Sequence, residues 1–482
     1  MNTDLLKKKI LDLAVRGKLV EQRPEEGTAE DLYQQIQEEK QKLIKEGKLK
    51  REKPLAPIAD EEIPFDIPDS WRWVRIGDLY KHNTGKALNS ANIEGKKLSY
   101  ITTSNLYWNR FELNNLKNMF FKDSEIEKCS VQKGDLLVCE GGDIGRAAIW
   151  NFDYQVCIQN HIHKLRCYIQ LSTLFYYYIF LYYKLNDSIS GRGIGIQGLS
   201  SNILHNLVVP LPTLAEQKRI VEKIDLLFSR LHTVEDGLVE IDKLSALTKK
   251  KILDLAIRGE LVEQRPEEGT AEDLYQKIQE EKQNLIKEGK LKKEKPLAPI
   301  EDDEIPFEIP EHWKWARLSS LVSVLGDGLH GTPSYDVNGT VYFINGNNLK
   351  NGKIVINDLT KKVSKEEAKK YYKDLNQSSL LVSINGTLGN VSFYDNEPVI
   401  LGKSACYFNL IGHLDKYFFK VLIDSDYFQS YLTNFATGTT IKNVPLSAMR
   451  SVLIPLPPLA EQKRIVAKVE ELLALCDKLK LK

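Results

Sequence analysis

Lys7 to Ile58, KKKILDLAVRGKLVEQRPEEGTAEDLYQQIQEEKQKLIKEGKLKREKPLAPI, returns almost unchanged as Lys249 to Ile300. The copies differ only at Val15/Ile257, Lys18/Glu260, Gln35/Lys277, Lys42/Asn284 and Arg51/Lys293. Leu5, Leu6, Ile10, Leu13 and Ala14 recur at helical spacing and Gly17 follows, which predicts a helix over 4–16 with a glycine stop. Thr28-Ala-Glu-Asp31 reads as a capping box that opens a second helix through about Glu46, with Leu32, Ile36, Leu43 and Ile44 inward. The basic run Lys48 to Lys53 reads first as a solvated face. Pro54, Pro57, Pro64 and Pro68 then force an extended linker into Trp71-Arg-Trp73, which recurs as Trp313-Lys-Trp315. Those indoles are expected to dock the linker onto the domain that follows.

Residues 74–209 have a different texture. Short β-like runs (Leu98–Thr102, Asp135–Cys139, Ala147–Trp150, His163–Cys167), glycine turns and one aromatic helix near 171–185 predict a mixed α/β domain. The block 316–454 is only distantly similar, yet its landmarks fall at nearly the same offset. Leu136-Leu-Val138 answers Leu380-Leu-Val382, Gly142-Asp-Ile-Gly145 answers Gly386-Thr-Leu-Gly389, and Gly193-x-x-Ile196 answers Gly438-x-x-Ile441. The two blocks are expected to share a fold but not a surface.

Each block is followed by a further near-copy, PLPTLAEQKRI at 210–220 and PLPPLAEQKRI at 455–465, with prolines just before a helix start. Val221, Ile224, Phe228 and Leu231 then alternate threes and fours, the spacing of a coiled coil, and Leu238, Ile241 and Leu244 continue it approximately. Through Arg258 this makes a helix of roughly 45 residues, about 68 Å long, weakened in the middle by Gly237. The second copy ends at Lys482, and residues 4–16 match 246–258, so the repeat behaves as a circle cut open. The predicted fold is two mixed α/β (α+β) heads held apart by long antiparallel coiled-coil helices, pseudo-twofold, with a circular internal repeat. Its segments are 1–70 (helices and linker), 71–209 (first head), 210–312 (central helix and linker), 313–454 (second head) and 455–482 (last helix).

A chain of 482 residues suggests about three units at roughly 150 residues each. The formal net charge of +1 means that any basic surface is local. Six cysteines without a C-x-x-C pair favour a reducing compartment. The N-terminal MNTDLLKKKILDL has no apolar signal core, and no run approaches the ~20 residues of a bilayer span, so a cytoplasmic chain without a membrane partner is expected.

Signatures of catalysis are missing from the sequence. There is no G-x-x-x-x-G-K-[ST], since Glu397 stands where the first glycine before Gly402-Lys403-Ser404 belongs, no [DNS]-P-P-[FYW], and no G-x-G-x-x-G opening a helix. His161 and His163 alternate along a probable strand and so share a face, but without a second cluster they read as structural or DNA-facing rather than metal-binding. The heads offer instead loops rich in amides, hydroxyls and bases. In the first these are Thr102, Thr103, Ser104, Asn105, Gly142, Asp143, Arg146, Asn160, His161 and Arg192. In the second they are Asn345, Asn347, Asn348, Asn385, Thr387, Lys403, Ser404, Thr439, Thr440, Lys442 and Asn443. Asn pairs with adenine, Arg and Lys with guanine, and small hydroxyls with phosphate. Their recurrence at equivalent places, with different residues, favours double-stranded DNA as the ligand.

The helical repeats, the P-L-P-x-L-A-E-Q-K-R-I helix starts, the I-P-x-x-W-x-W entries and the L-L-V-x-x-x-G-x-x-G elements together resemble the specificity (S) subunit of type I restriction-modification enzymes. The resemblance implies that each head is a target recognition domain reading half of a split DNA site. It implies a non-catalytic chain that scaffolds two methyltransferase subunits and, where present, restriction subunits. S-adenosylmethionine, ATP and Mg are then expected on those partners and no cofactor on this chain. Candidates for docking and coiled-coil contact are Leu214, Ile220, Val221, Ile224, Phe228 and Leu231, with Leu459, Ile465, Val466, Val469 and Leu473 in the second copy. The competing reading is a coiled-coil scaffold whose heads bind protein or carbohydrate. The cut-circle arrangement predicts efficient energy transfer between dyes placed near residues 3 and 480; a separation comparable with the long helix would refute it.

Overall fold

The computed structural model describes residues 2–51, 53–89, 93–189, 198–293 and 297–479. The chain divides into two compact units, Met1–Gly237 and Leu238–Lys482. The repeat's first helix is Thr3–Val15 and its second Ala29–Lys45, repeated as Ala271–Lys287. Thr28 caps the second helix through Asp31, as the capping-box reading requires. Gly17 takes φ +66°, and a Cβ there would lie 2.5 Å from the ring of Pro68, so both backbone and packing demand glycine. Gly259 repeats this at φ +74° beneath Pro310.

Both heads have the same topology. A neck ladder pairs Arg72–Arg75 with Val208–Leu211 in the first head and Lys314–Arg317 with Leu453–Leu456 in the second, both antiparallel. Beyond it lies a four-stranded antiparallel sheet in the order Tyr80–Thr84, Ile162–Cys167, Leu136–Cys139, Ala147–Ile149. Its counterpart runs Val322–Asp327, Ala405–Leu410, Ser379–Ser383, Val391–Phe393. Leu136–Cys139 and Ser379–Ser383 are buried along their whole length, which is why they read as apolar runs and not as alternating strands. A three-stranded sheet (Lys117–Phe121, Lys96–Ile101, Cys157–Ile158) and its counterpart (Lys362–Val363, Val341–Ile344, Val399–Leu401) each combine one antiparallel and one parallel pairing. The heads differ in their helices: the aromatic helix Thr173–Leu185 of the first is replaced by Lys416–Asp424 and Asp426–Phe435 in the second.

The long helix is Leu214–Arg258, 45 residues, and its two halves belong to the two units. Its A-E-Q-K-R start locks the first unit, and the same start of the last helix, Leu459–Lys478, locks the second. Glu216 accepts from the Trp71 indole at 2.8 Å and from the Gln22 amide. Gln217 accepts from Ser172 N and donates to Pro212 O, both at 3.0 Å, tying the aromatic helix to the long one. Arg219 forks onto Glu26 at 2.8 and 2.6 Å and reaches the Glu21 carbonyl at 3.0 Å. In the second unit Glu461 accepts from Trp313 at 3.0 Å, Gln462 joins Asp415 N to Pro457 O, and Arg464 forks onto Glu268 at 2.9 and 2.6 Å. The indoles therefore dock as expected, Trp71 edge-on to Phe175 and Trp313 edge-on to Phe418.

Within each unit the terminal helix runs antiparallel to its half of the long helix. Lys7 meets Glu235 while Gln22 meets Glu216; Ser245 meets Cys476 while Glu268 meets Arg464. Residue 480 lies outside the described residues. Ile220 and Ile224 are fully buried in the first unit's core beside Leu11, Ala14 and Val15, with Leu214, Val221 and Phe228 packed against it. Leu231 is half-buried. Ile465 and Val469 are buried in the second core, with Val466 and Leu473 against it and Leu459 half-buried. These apolar positions thus face the chain's own core, and the apolar side chains the helix exposes are others, among them Leu226, Leu244 and Leu247.

The fork predicts that Arg219→Ala, which leaves the Glu26 carboxylate only the longer contact to Arg23 at 3.7 Å, lowers first-unit stability by about 2 kcal/mol in urea unfolding, and that Arg219→Lys does not restore it. A lysine variant as stable as the parent would refute the bidentate role.

Candidate nucleic-acid interface

In the first head the sheet-end loops converge. Thr103–Asn105 forms a single 3-10 turn after the strand Lys96–Ile101. Arg146, on the far side of the glycine element, donates to the Thr103 carbonyl at 2.6 Å and lies 3.9 Å from Asp143. Asp143 also pairs with Lys184 at 2.7 Å. Gly142 takes φ +73° with open space around it, so the tip of the element is exposed main chain. His161 stands exposed and pairs with Glu140 at 3.2 Å, next to half-buried Asn160. Arg192 and the segment Gly193–Ile196 lie outside the described residues.

The second head assembles its loops in the same place. Ser404 donates to Asn345 Oδ1 and accepts from Gly346 N, both at 2.9 Å, and Asn385 donates to Asn443 Oδ1 at 3.0 Å. Asn347, Thr387, Lys403, Thr439, Thr440 and Lys442 remain exposed around that cluster. Beneath the 3-10 turn Gly346–Asn348 opens a hollow of about 360 Å³ lined by Asn347, Lys350, Asn357 and Lys361.

Several candidates prove to be fasteners. Asn105 Oδ1 accepts from Thr102 N and its Nδ2 donates to Glu112 O, both at 3.0 Å; Asn348 makes the same pair to Asn345 N and Val355 O at 3.0 and 2.9 Å. Tyr107 was passed over in the sequence, yet it carries two arginines over its ring, Arg110 at 4.9 Å and Arg146 at 5.2 Å. The signal that finds it is register: 102–112 and 345–355 align at a constant offset without a gap.

The model of the type I restriction modification DNA specificity domain matches residues 68–241 and 310–481, one match per head with the helix that follows. The chain belongs to this family. It is similar to the type I restriction enzyme EcoAI specificity subunit of Escherichia coli, 27% identical, with 98% of this chain and 90% of that protein covered. The EcoEI specificity subunit of the same organism is 25% identical over the same shares. The crystal structure of the HsdS subunit from Thermoanaerobacter tengcongensis has the same fold: TM-score 0.56 at 18% identity, covering 86% of this chain and 92% of that one.

As a type I specificity subunit the chain is the DNA-recognition component of a restriction-modification complex, not its catalyst, and the protein- or carbohydrate-binding scaffold reading is set aside. Its partners are DNA and the methyltransferase subunits, with restriction subunits where present, and S-adenosylmethionine, ATP and Mg act on those subunits. Among the described residues no helix is long and apolar enough to cross a membrane.

The sequence expectation that His161 and His163 share a face is corrected. His161 precedes the strand and is exposed, whereas His163 is fully buried. His163 Nε2 meets the Leu199 carbonyl at 2.6 Å and must donate, so its Nδ1 accepts from His82 Nε2 at 3.0 Å. His82 in turn stacks on His205. Burial first, then the neighbouring His163 and His205, pushes His82 down to about 3. Burial also lowers His163, against the pull of the Leu199 carbonyl. Strand register puts Leu325 and Cys406 at these two positions in the second head.

A folded value below the ordinary 6.5 means the stabilisation is complete above that pH and is lost as pH falls toward about 3. The first unit is therefore expected to lose on the order of 2 kcal/mol between pH 7 and pH 5. The double variant His82→Leu/His163→Cys should flatten that slope in urea titrations. An unchanged slope would remove the pair as its cause.

Proposed function

We propose that the subunit reads a bipartite, asymmetric duplex site, one half with each head, using segments 71–209 and 313–454. The modules 1–70, 210–312 and 455–482 hold two methyltransferase subunits. The observation that carries this reading is a contrast. The helical repeats Lys7–Ile58 and Lys249–Ile300 differ at five positions, while heads of one topology present different side chains at matched loop ends. Two equivalent docking surfaces suit two equivalent partners, and two unlike surfaces suit two unlike half-sites. In this reading the outward residues Ser104, His161, Asn347, Thr387, Lys403, Thr439, Thr440 and Lys442 meet DNA, a reading supported by their exposure. Thr102, Thr103, Asn105, Gly142, Asp143, Arg146, Asn160, Asn345, Asn348, Asn385, Ser404 and Asn443 shape the loops that carry them. A net charge of +1 agrees with base readout by the heads and phosphate neutralisation by the partners. Six unpaired cysteines support a reducing, cytoplasmic setting.

Methylation mapping of genomic DNA tests this directly. Cells carrying this chain with its methyltransferase should show a methylated adenine motif with a fixed gap, absent when only this chain is removed. Exchange of residues 74–209 for another head should change one half of the motif. A pattern indifferent to this chain, in cells with an active partner, would overturn the reading.

A further inference from the structure

The 3-10 turn of each head runs into a two-residue hairpin. In the first, Leu106–Tyr107 pairs with Arg110–Phe111; in the second, Leu349–Lys350 pairs with Lys353–Ile354. The frame is the same bond for bond. The Asn105 and Asn348 amides span each turn as described above. The tip is tied to the strand after the glycine element by Asn109 N to Ala147 O and Gly352 N to Val391 O, both at 3.0 Å. Asn109 has φ +48° and Gly352 φ +82°.

Between 102–112 and 345–355 only two aligned residues are identical, Asn105/Asn348 and Leu106/Leu349. They are the clamp and the fully buried anchor. The outward positions all differ: Ser104/Asn347, Tyr107/Lys350, Arg110/Lys353.

What these positions carry points to a polyanion. Tyr107 and Arg110 face each other across the first hairpin, the guanidinium held over the ring. Among the described residues the Arg110 guanidinium makes no hydrogen bond or ion pair. Lys350 and Lys353 face each other across the second hairpin, both exposed. Their ammonium groups likewise have no ion pair or hydrogen bond among the described residues. Like charges directly opposed in a ladder disfavour it, so the second hairpin holds two cations side by side, without internal partners among the described residues, where a polyanion would be favoured by both. An arginine oriented on an aromatic ring keeps its N–H edge free for the O6 and N7 atoms of guanine.

We propose that these hairpins contact the duplex directly and help set which half-site each head reads, through Tyr107 and Arg110 in the first and Lys350 and Lys353 in the second. The assignment rests on the reading of the heads as DNA readers given above.

The test uses the complex assembled with its methyltransferase subunits, a duplex carrying the mapped site, and two duplexes with one half scrambled. Arg110→Ala is expected to weaken binding of the full site about 10- to 100-fold and to leave unchanged the duplex whose first-head half is scrambled. Lys350→Ala/Lys353→Ala should do the same for the other half, with a shallower salt dependence. Removing the opposed charges should leave the second unit's unfolding midpoint unchanged or raised. Variants that bind the full site with the parent's affinity and salt slope would overturn the hairpin assignment alone. So would a loss of binding that comes with a lowered midpoint, which marks a structural role. A parent complex that does not distinguish the three duplexes would overturn the DNA-reading proposal itself.

Discussion

A carboxylate withdrawn from water at the first turn of a helix must be met by donors, and that requirement organises both units. Glu216 and Glu461 are almost fully buried, and each takes an indole N–H from the residue just before the entry strand. In the first unit meeting that demand brings three distant stretches together: the entry to the head, the loop after the repeat's first helix, and the start of the long helix; in the second it joins the entry to the head to the start of the last helix. The remaining donor is supplied differently in the two units. Gln22, itself held by Ser70, reaches Glu216; in the second unit His312 approaches Glu461 directly at 3.1 Å, and Gln264 turns to the Gly259 carbonyl. A leftover cost is visible there, because one oxygen of Glu461 has no partner among the described residues. The need is fixed and its solution is negotiable.

The near-identity of the helical copies therefore has an internal cause beside any external one. Glu26, Gln22, Gly17 and Trp71 are each one half of a contact whose other half lies far along the chain. A surface kept alike only for a partner would be free to drift beneath that surface. Here the drift is also opposed from within.

Much of this was legible in the sequence, and the limits have physical reasons. Helix ends were legible because Gly17, Thr28 and Asp31 act through local backbone chemistry. The 45-residue helix was legible because apolar residues recur at approximately helical spacing on both sides of Gly237. Which way that apolar face points was not: the spacing of Ile220, Val221, Ile224 and Phe228 is the same whether it meets a partner or the chain's own head, and it meets the head. Nor does a loop asparagine announce whether its amide faces outward or clamps a turn, since Asn347 and Asn348 are neighbours with opposite duties. His161 and His163 were misplaced for a related reason: their alternation presumes a strand that begins one residue too late to include the first.

The separation of clamp from outward residue gives the two parts of the molecule different mutational tempos. At the outward positions of the hairpins and turns a side chain can be exchanged singly for a few tenths of a kcal/mol, because nothing inside the fold depends on it. A lineage can thus step from one recognition preference to another through folded intermediates. In the helical modules the same single step strands a buried charge or closes a space only glycine fits, so change there succeeds in matched pairs and comes slowly. Asn105 and Leu106 mark that boundary within four residues of Ser104 and Tyr107, placing the slow and the fast positions side by side in one turn.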